Sequence, residues 1–101
     1  MTEEKAFLVI NAVPNPENMA GFQMYMSKIM PILENAGGKT LGRYRTVEQV
    51  VGEGGPRVTG IVEFSSSEVI KNMIAGEEFN SLAQLRGEAF ARLDLMICQA
   101  M

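Results

Sequence analysis

The chain has 101 residues, of which 47% are hydrophobic and 21% charged, and its formal net charge is −3. That length suits a single domain over residues 1–101, and the large apolar fraction favours burial of some surface against a second copy of the chain. An acidic chain without a basic block is a poor candidate for nucleic-acid binding, because phosphate contacts require clustered Lys and Arg.

The residue types that are missing or scarce bear on other kinds of site and on location. There is no histidine, which is the commonest metal ligand and the usual base near neutral pH, so we expect neither a metal nor a cofactor. The single cysteine, Cys98, cannot form an intrachain disulfide and indicates a reducing, cytoplasmic compartment. The acidic residues 1–5 are not typical of a secretory signal, and no stretch approaches the roughly 20 apolar residues of a membrane span.

The first third of the chain predicts a central strand followed by a long helix. Ala6–Val13 is nearly all apolar, which is typical of a strand buried on both faces. Asn15-Pro16 predicts an N-cap and a first helical residue, and apolar residues then recur at spacings of three and four to about Asn35. Gly37-Gly38 predicts the end of that helix, since glycine tolerates the left-handed cap.

The middle of the chain predicts a β-hairpin. Lys39–Val51 reads as a long strand, Gly52–Pro56 as a turn and Arg57–Phe64 as the second strand. Alternation divides the first strand into Leu41, Arg43, Arg45 and Val47 on one face and Thr40, Gly42, Tyr44 and Thr46 on the other. It divides the second strand into Val58, Gly60, Val62 and Phe64 on one face and Thr59, Ile61 and Glu63 on the other. We interpret the Val58 face as the one beneath the helices.

The remaining elements complete an α+β pattern. Ser65–Ser67 predicts the N-cap of a helical segment that is broken at Gly76, and Arg92–Ala100 predicts the last strand. The element order predicts a ferredoxin-like βαββαβ domain with an antiparallel sheet, both helices on one face, and the first and third strands in the centre. Because the open face of that sheet carries Ile61 and parts of the first and last strands, it is too apolar for water. We therefore expect a homodimer in which two sheets pack face to face.

Two charged residues on neighbouring strands, Arg43 and Glu63, are the candidates for catalysis. Whether they share a face depends on the register of the hairpin, which the sequence does not fix. If both face the covered side, each needs a partner, since an unpaired buried charge is costly. They then form either a structural ion pair or a ligand site, in which Arg43 holds a carboxylate or enolate oxygen and Glu63 accepts a proton. At a sheet edge, both are simply solvated.

Three more residues are candidates for ligand binding, and each has a structural alternative. Asn11, near the end of the first strand, either bonds to backbone or makes a hydrogen bond in a pocket. Tyr44 is either a phenol donor in a pocket or an aromatic residue packed across the sheet. Arg86 lies on the last predicted helix, eight residues after Glu78, where an ion pair at the surface or at an interface is favoured over a catalytic role.

The chain also resembles the domain-of-unknown-function 1330 family, small proteins of the dimeric α+β barrel group, over nearly all its length. The residues that carry this resemblance are, in order, Pro31-Ile32-Leu33, Gly37-Gly38, Arg43, Gly52-Glu53, Glu63-Phe64-Ser65-Ser66, Glu78-Phe79 and Arg86. The chain differs at Ser65, where the family often has proline, and at Phe79, where it often has tyrosine. The resemblance implies a ferredoxin-like protomer and a homodimer, the dimeric α+β barrel, with no settled activity. Related barrels include cofactor-free oxygenases, isomerases and dehalogenation enzymes, which is an analogy of fold alone.

Two functions follow from these observations. The first is a cytoplasmic homodimer that binds or transforms a small, partly apolar metabolite in a pocket between sheet and helices, without a metal. The second is a non-catalytic dimerisation or interaction protein that has no small-molecule site. An enclosed cavity lined by Arg43, Glu63 or Tyr44 favours the first, and a fully packed sheet interface favours the second. The sequence names neither a ligand nor a reaction.

Overall fold

The computed structural model describes residues 4–101, which form a four-stranded antiparallel sheet and a layer of helices. The elements in chain order are β1 (Ala6–Pro14), α1 (Met19–Asn35), β2 (Lys39–Arg45), β3 (Val58–Phe64), α2 (Ser67–Ala75), α3 (Glu77–Asn80), α4 (Ala83–Ala89) and β4 (Phe90–Cys98). The strand order β2-β3-β1-β4 places the first and third strands in the centre, and the helices lie on one side of the sheet. The predicted α+β, ferredoxin-like arrangement is therefore confirmed.

The core lies between the sheet and the helices, because alternate residues of each strand face the helix layer. Leu8 on β1 lies opposite Val62 on β3, and Ala6 lies opposite Phe64. All four side chains are at most 3% exposed, and Leu33 of α1 closes the core from the helix side. Burial of this apolar surface supplies most of the stabilisation, at roughly 25 cal/mol per Å². The predicted helix-facing side of β3 is the observed one.

The second strand is shorter than the sequence predicts. It ends at Arg45 rather than Val51, and residues 46–57 form a loop instead of a tight hairpin turn. The side chain of Gln49 holds this loop by accepting a hydrogen bond from the Gly55 N–H at 2.9 Å. The valines that suggested a longer strand have no neighbouring strand to pair with, and they are 84–91% exposed: Val47, Val50 and Val51.

A β-bulge changes which side chains of β2 share a face. Thr40 lies opposite Val62 and Gly42 lies opposite Ile61, so Leu41 is the extra residue in the register. Simple alternation predicted that Thr40 and Arg43 face opposite ways. With the bulge between them, both lie on the helix-facing side, which brings a hydroxyl and a guanidinium to the same edge of the core.

The ends of α1 are fixed by local hydrogen bonds. The N-cap is Asn18, whose side chain accepts from the Gly21 N–H at 3.1 Å, and the prediction of Asn15 was wrong. The Asn15 side chain instead accepts from the N–H of Glu17, which forms a turn before the helix. At the other end Gly37 has φ +88°, as expected for a left-handed cap.

The second helical region consists of three short helices rather than one or two. Ser66 is the N-cap of α2, in agreement with the predicted serine cap, and its hydroxyl accepts from the Val69 N–H at 3.3 Å. The helical segment is interrupted at Gly76, as expected. Strand β4 begins at Phe90, two residues before the predicted start at Arg92. Within residues 4–101, no helix is both long and apolar enough to cross a membrane.

Candidate functional site

A cavity of about 60 Å³ lies between α1 and the helix-facing side of the sheet. Its walls are almost wholly apolar, and the polar side chains among the residues that line it are Thr40, Arg43 and Tyr25. Among residues 4–101, no acidic side chain lines it. Two flexible methionines, Met26 and Met30, lie along α1 on its upper side, where they can adapt to a guest molecule.

Gly60 on β3 is one reason that the cavity exists. Its neighbours on the same face, Val58 and Val62, carry branched side chains, whereas Gly60 leaves the floor bare between them. A Cβ atom built at Gly60 would lie 3.8 Å from Ile10 Cδ1 and 3.9 Å from Arg43 Cγ, which are ordinary van der Waals distances. There is consequently room for a side chain that the sequence does not supply, as is typical of a strand glycine beside a site of close approach.

Arg43 stands at the β2 edge of this cavity. It pairs with Gly60 across the two strands, and its exposed side chain borders both the cavity and an outer cleft beside α1. Within residues 4–101, no carboxylate lies within 4.0 Å of its guanidinium. The arginine therefore offers an uncompensated positive charge at the rim of an apolar space.

Glu63 does not join Arg43. It lies opposite Phe7 and Lys39, on the open face of the sheet, whereas Arg43 faces the helices. The two residues are on opposite faces because three positions separate Gly60, the partner of Arg43, from Glu63. Glu63 instead forms an ion pair with Lys5 at 3.1 Å. The paired site that the sequence left open, with Glu63 accepting a proton from a molecule held by Arg43, is therefore not assembled.

Behind the Tyr25 and Phe79 side chains that line the cavity, Arg86 on α4 contacts both of them. Its Nε donates to the Tyr25 hydroxyl at 3.0 Å, and its Nη2 donates to the Phe79 carbonyl at 2.8 Å. The guanidinium also stacks 4.0 Å from the centroid of the Phe79 ring. Within residues 4–101 no carboxylate lies within 4.0 Å of Arg86, so the surface or interface ion pair favoured from the sequence has no partner among those residues.

Tyr25 is the residue that sequence reasoning missed. It is 4% exposed, its ring lines the cavity, and its edge packs on Phe90 with ring centroids 5.3 Å apart. A signal was present: Tyr25 lies three residues after Phe22 and four before Ile29, within the apolar stripe of α1. A phenol on a buried stripe requires a partner for its hydroxyl, and Arg86 is that partner.

Asn11 and Tyr44 lie on the open face and not in the cavity. Strand register aligns four polar residues in one row across that face: Tyr44, Thr59, Asn11 and Asp94. The Asn11 side chain accepts a hydrogen bond from the Thr59 hydroxyl at 3.0 Å, which is neither the backbone bond nor the hydrogen bond in a pocket that the sequence offered as alternatives. Tyr44 is 59% exposed and borders the outer cleft beside Arg43.

The next row of the open face is apolar. Ile61, Val9 and Met96 lie side by side on β3, β1 and β4. All three are at least partly exposed, as expected for a sheet face that no helix covers. Within residues 4–101, no group of three or more His, Cys, Asp or Glu side chains is arranged to hold a metal ion.

These features define a ferredoxin-like α+β domain with an apolar cavity between its two layers, Arg43 at one edge of that cavity and Arg86 behind the Tyr25 and Phe79 side chains that line it. The chain belongs to the family described as domain of unknown function (DUF1330), whose model matches residues 5–101. The predicted family is thereby confirmed. None of the curated proteins matches this sequence.

Solved structures share the fold at low sequence identity. A protein of unknown function from Rhodopseudomonas palustris is 16% identical, with a TM-score of 0.83 over 98% of this chain and 84% of that one. A putative antibiotic biosynthesis monooxygenase from Bordetella bronchiseptica is 17% identical, with a TM-score of 0.70 over 98% and 99% of the two chains. An ethyl tert-butyl ether D family protein from Bacillus halodurans is 17% identical, with a TM-score of 0.68 over 96% and 99%.

Proposed function

We propose that this protein is a cytoplasmic homodimer that binds a small, partly apolar metabolite in the cavity between α1 and the sheet, without a metal ion. The observation that carries the proposal is the apolar cavity itself, which within residues 4–101 has no acidic residue in its lining and has Arg43, without an ion-pair partner there, at its edge. Apolar walls with a few convergent polar groups are the usual composition of a small-molecule site.

The described geometry supports binding more strongly than catalysis. The residue proposed as a base, Glu63, faces away from the cavity and is paired with Lys5. Arg43 retains its proposed role, since a guanidinium fork at the edge of an apolar space is suited to a ligand oxygen that carries negative charge. The names of two solved relatives, a putative monooxygenase and an ethyl tert-butyl ether D family protein, are consistent with small-molecule chemistry on this fold, by analogy only.

The open face of the sheet supports the homodimer. The molecule is only 17 Å thick along its shortest axis, which corresponds to one sheet and one layer of helices. The apolar row of Val9, Ile61 and Met96 is therefore left without a covering layer. A second copy packed sheet to sheet would cover this row on both protomers at once, as an isologous interface requires. Cys98, the single cysteine, supports a reducing compartment.

A substitution that fills the cavity tests the proposed site. Gly60→Val adds a branched side chain at the floor, where a Cβ atom meets its neighbours at ordinary distances. We expect the variant to fold with unchanged or greater stability and to lose the thermal shift produced by small amphipathic molecules. Ile61→Val, on the next residue and the open face, is the matched control and retains that shift. Ligand binding that is unaffected by Gly60→Val would contradict the proposed location.

The alternative function, an interaction protein without a small-molecule site, makes the opposite prediction. A panel of small amphipathic acids, alcohols and amides would then give no thermal shift with the wild-type dimer, and Gly60→Val would change stability alone. A thermal shift that Gly60→Val removes and Ile61→Val preserves would exclude this alternative.

A further inference from the structure

Arg86 is a cation whose hydrogen-bonding capacity is only partly used. A guanidinium has five N–H donors, of which two are used, by the Tyr25 hydroxyl and the Phe79 carbonyl, which leaves three. The side chain is half-buried, yet within residues 4–101 no carboxylate compensates its charge. A partly desolvated charge without a partner is unfavourable in the empty protein, and a bound anion would relieve that cost.

The surroundings of Arg86 suit an anion with an apolar body. Arg86 borders an open cleft of about 560 Å³ beside β4, and four apolar residues line both this cleft and the cavity: Phe79, Phe90, Leu93 and Leu95. In the part of the chain that the structure describes, no acidic residue lines either space. Tyr25 connects the two, since its ring lines the cavity and its hydroxyl contacts Arg86.

The Tyr25 hydroxyl offers a second donor at the same point. It accepts a hydrogen bond from Arg86 and donates none to any group in residues 4–101. Its hydrogen therefore has no acceptor within those residues. Two donors on neighbouring side chains match the two oxygens of a carboxylate, and hydrogen bonds to a charged partner are the stronger kind.

Resting on the proposed function, we infer that the ligand is a small monocarboxylate whose carboxylate lies on Arg86 and the Tyr25 hydroxyl and whose apolar body extends from the cleft, along the four apolar residues that both spaces share, into the cavity. Arg86 is a better anchor than Arg43 because its hydrogen bonds and its stacking on Phe79 already fix its position. Arg43 is exposed and would lose side-chain freedom on binding an anion, which lowers the affinity that it can provide.

A matched pair of ligands tests whether the ligand is a carboxylate. Hexanoate and hexan-1-ol have the same chain length and differ in the charge of the head group. We expect calorimetry to show that the wild-type protein binds hexanoate at least ~10-fold more tightly, the scale of a hydrogen bond to a charged group. Equal affinity for the two compounds would overturn the inference and leave the proposed cavity in place. Binding of neither compound would overturn the proposed function, and this inference with it.

Variants at the two arginines test the anchor. Arg86→Gln should reduce the preference for hexanoate to about threefold or less while hexan-1-ol still binds, which shows that the cavity is intact. Arg86→Lys, which keeps the charge but loses the fork, should give an intermediate preference and serves if Arg86→Gln does not fold. Arg57→Gln, at an exposed arginine that lines neither the cavity nor the cleft, is the control and should keep the wild-type preference. A preference lost in Arg43→Gln and kept in the Arg86 variants would overturn the assignment to Arg86.

Discussion

The two faces of the sheet are made from the same four strands, yet they differ in what lies on them. On the helix-facing side every row is apolar up to the edges, and its one gap, at Gly60, opens into a cavity. On the open side a polar row lies beside an apolar row, and a third row carries the Lys5–Glu63 ion pair. The two faces are thus chemically different, although side chains alternate between them along every strand in the same way.

This difference assigns ligand binding and dimerisation, which the sequence suggested together, to opposite faces of the sheet. The cavity, with Arg43 at its edge, and the adjoining cleft, with Arg86, both lie on the helix side and are lined by residues of one protomer. The apolar row of the open side is the surface proposed for the partner. Substitutions on one face should therefore affect ligand binding and those on the other should affect assembly, and variants can test this independence one face at a time.

The largest expected effect is on the helix side. Phe64 is 1% exposed and packs in the core, so Phe64→Ala should lower the free energy of unfolding by about 3–5 kcal/mol. The control is Met96→Ala on the open side, where the side chain is 39% exposed and the expected loss is under about 1 kcal/mol in a monomer. Urea denaturation at a fixed protein concentration measures both. Equal losses would show that the open side is as well packed as the core.

The second effect is on assembly. Ile61→Lys introduces a charge into the apolar row of the open face, and in a two-fold dimer it does so twice. We expect the dissociation constant of the homodimer to rise at least ~100-fold, since an unpaired charge is poorly accommodated in an apolar interface. Sedimentation velocity across a concentration series measures this change, with Gln84→Lys on the exposed surface of α4 as control. A wild-type protein that stays monomeric at all concentrations would refute the proposed dimer.

The sequence predicted the topology well because alternation and helical spacing determine which elements form. The prediction failed where strand register decides which side chains lie on the same face. The bulge at Leu41 reverses the facing of Thr40 relative to Arg43, and no local pattern marks it. Similarly, the polar row through Asn11 and Asp94 exists only because two strands align at those residues. Arg86 and Tyr25 are 61 residues apart, and their hydrogen bond depends on the packing of α4 against α1.

The two tyrosines give a matched comparison of smaller size. Tyr25→Phe removes the acceptor of the Arg86 Nε–H, so we expect a loss of about 1–3 kcal/mol in the free energy of unfolding. Tyr44→Phe removes a hydroxyl that makes no hydrogen bond within residues 4–101 on a side chain that is 59% exposed, and stability should change by less than about 0.5 kcal/mol. Thermal unfolding of both variants compares them directly. A larger loss at Tyr44 would mean that its hydroxyl has a partner in the dimer.

The smallest effect is expected at Glu63, which the sequence offered as a proton acceptor for a ligand held by Arg43 if both charges faced the covered side of the sheet. The structure instead places Glu63 on the open face, away from the cavity, and its partner Lys5 is 68% exposed. An exposed ion pair contributes about 0–1 kcal/mol to stability, and salt screens it. In 0.5 M salt the free energy of unfolding of Glu63→Gln should therefore differ from that of the wild type by less than about 1 kcal/mol. Its affinity for hexanoate should equal that of the wild type. A variant that folds and dimerises normally but no longer binds the acid would restore Glu63 to the site, through a cavity that the partner sheet completes.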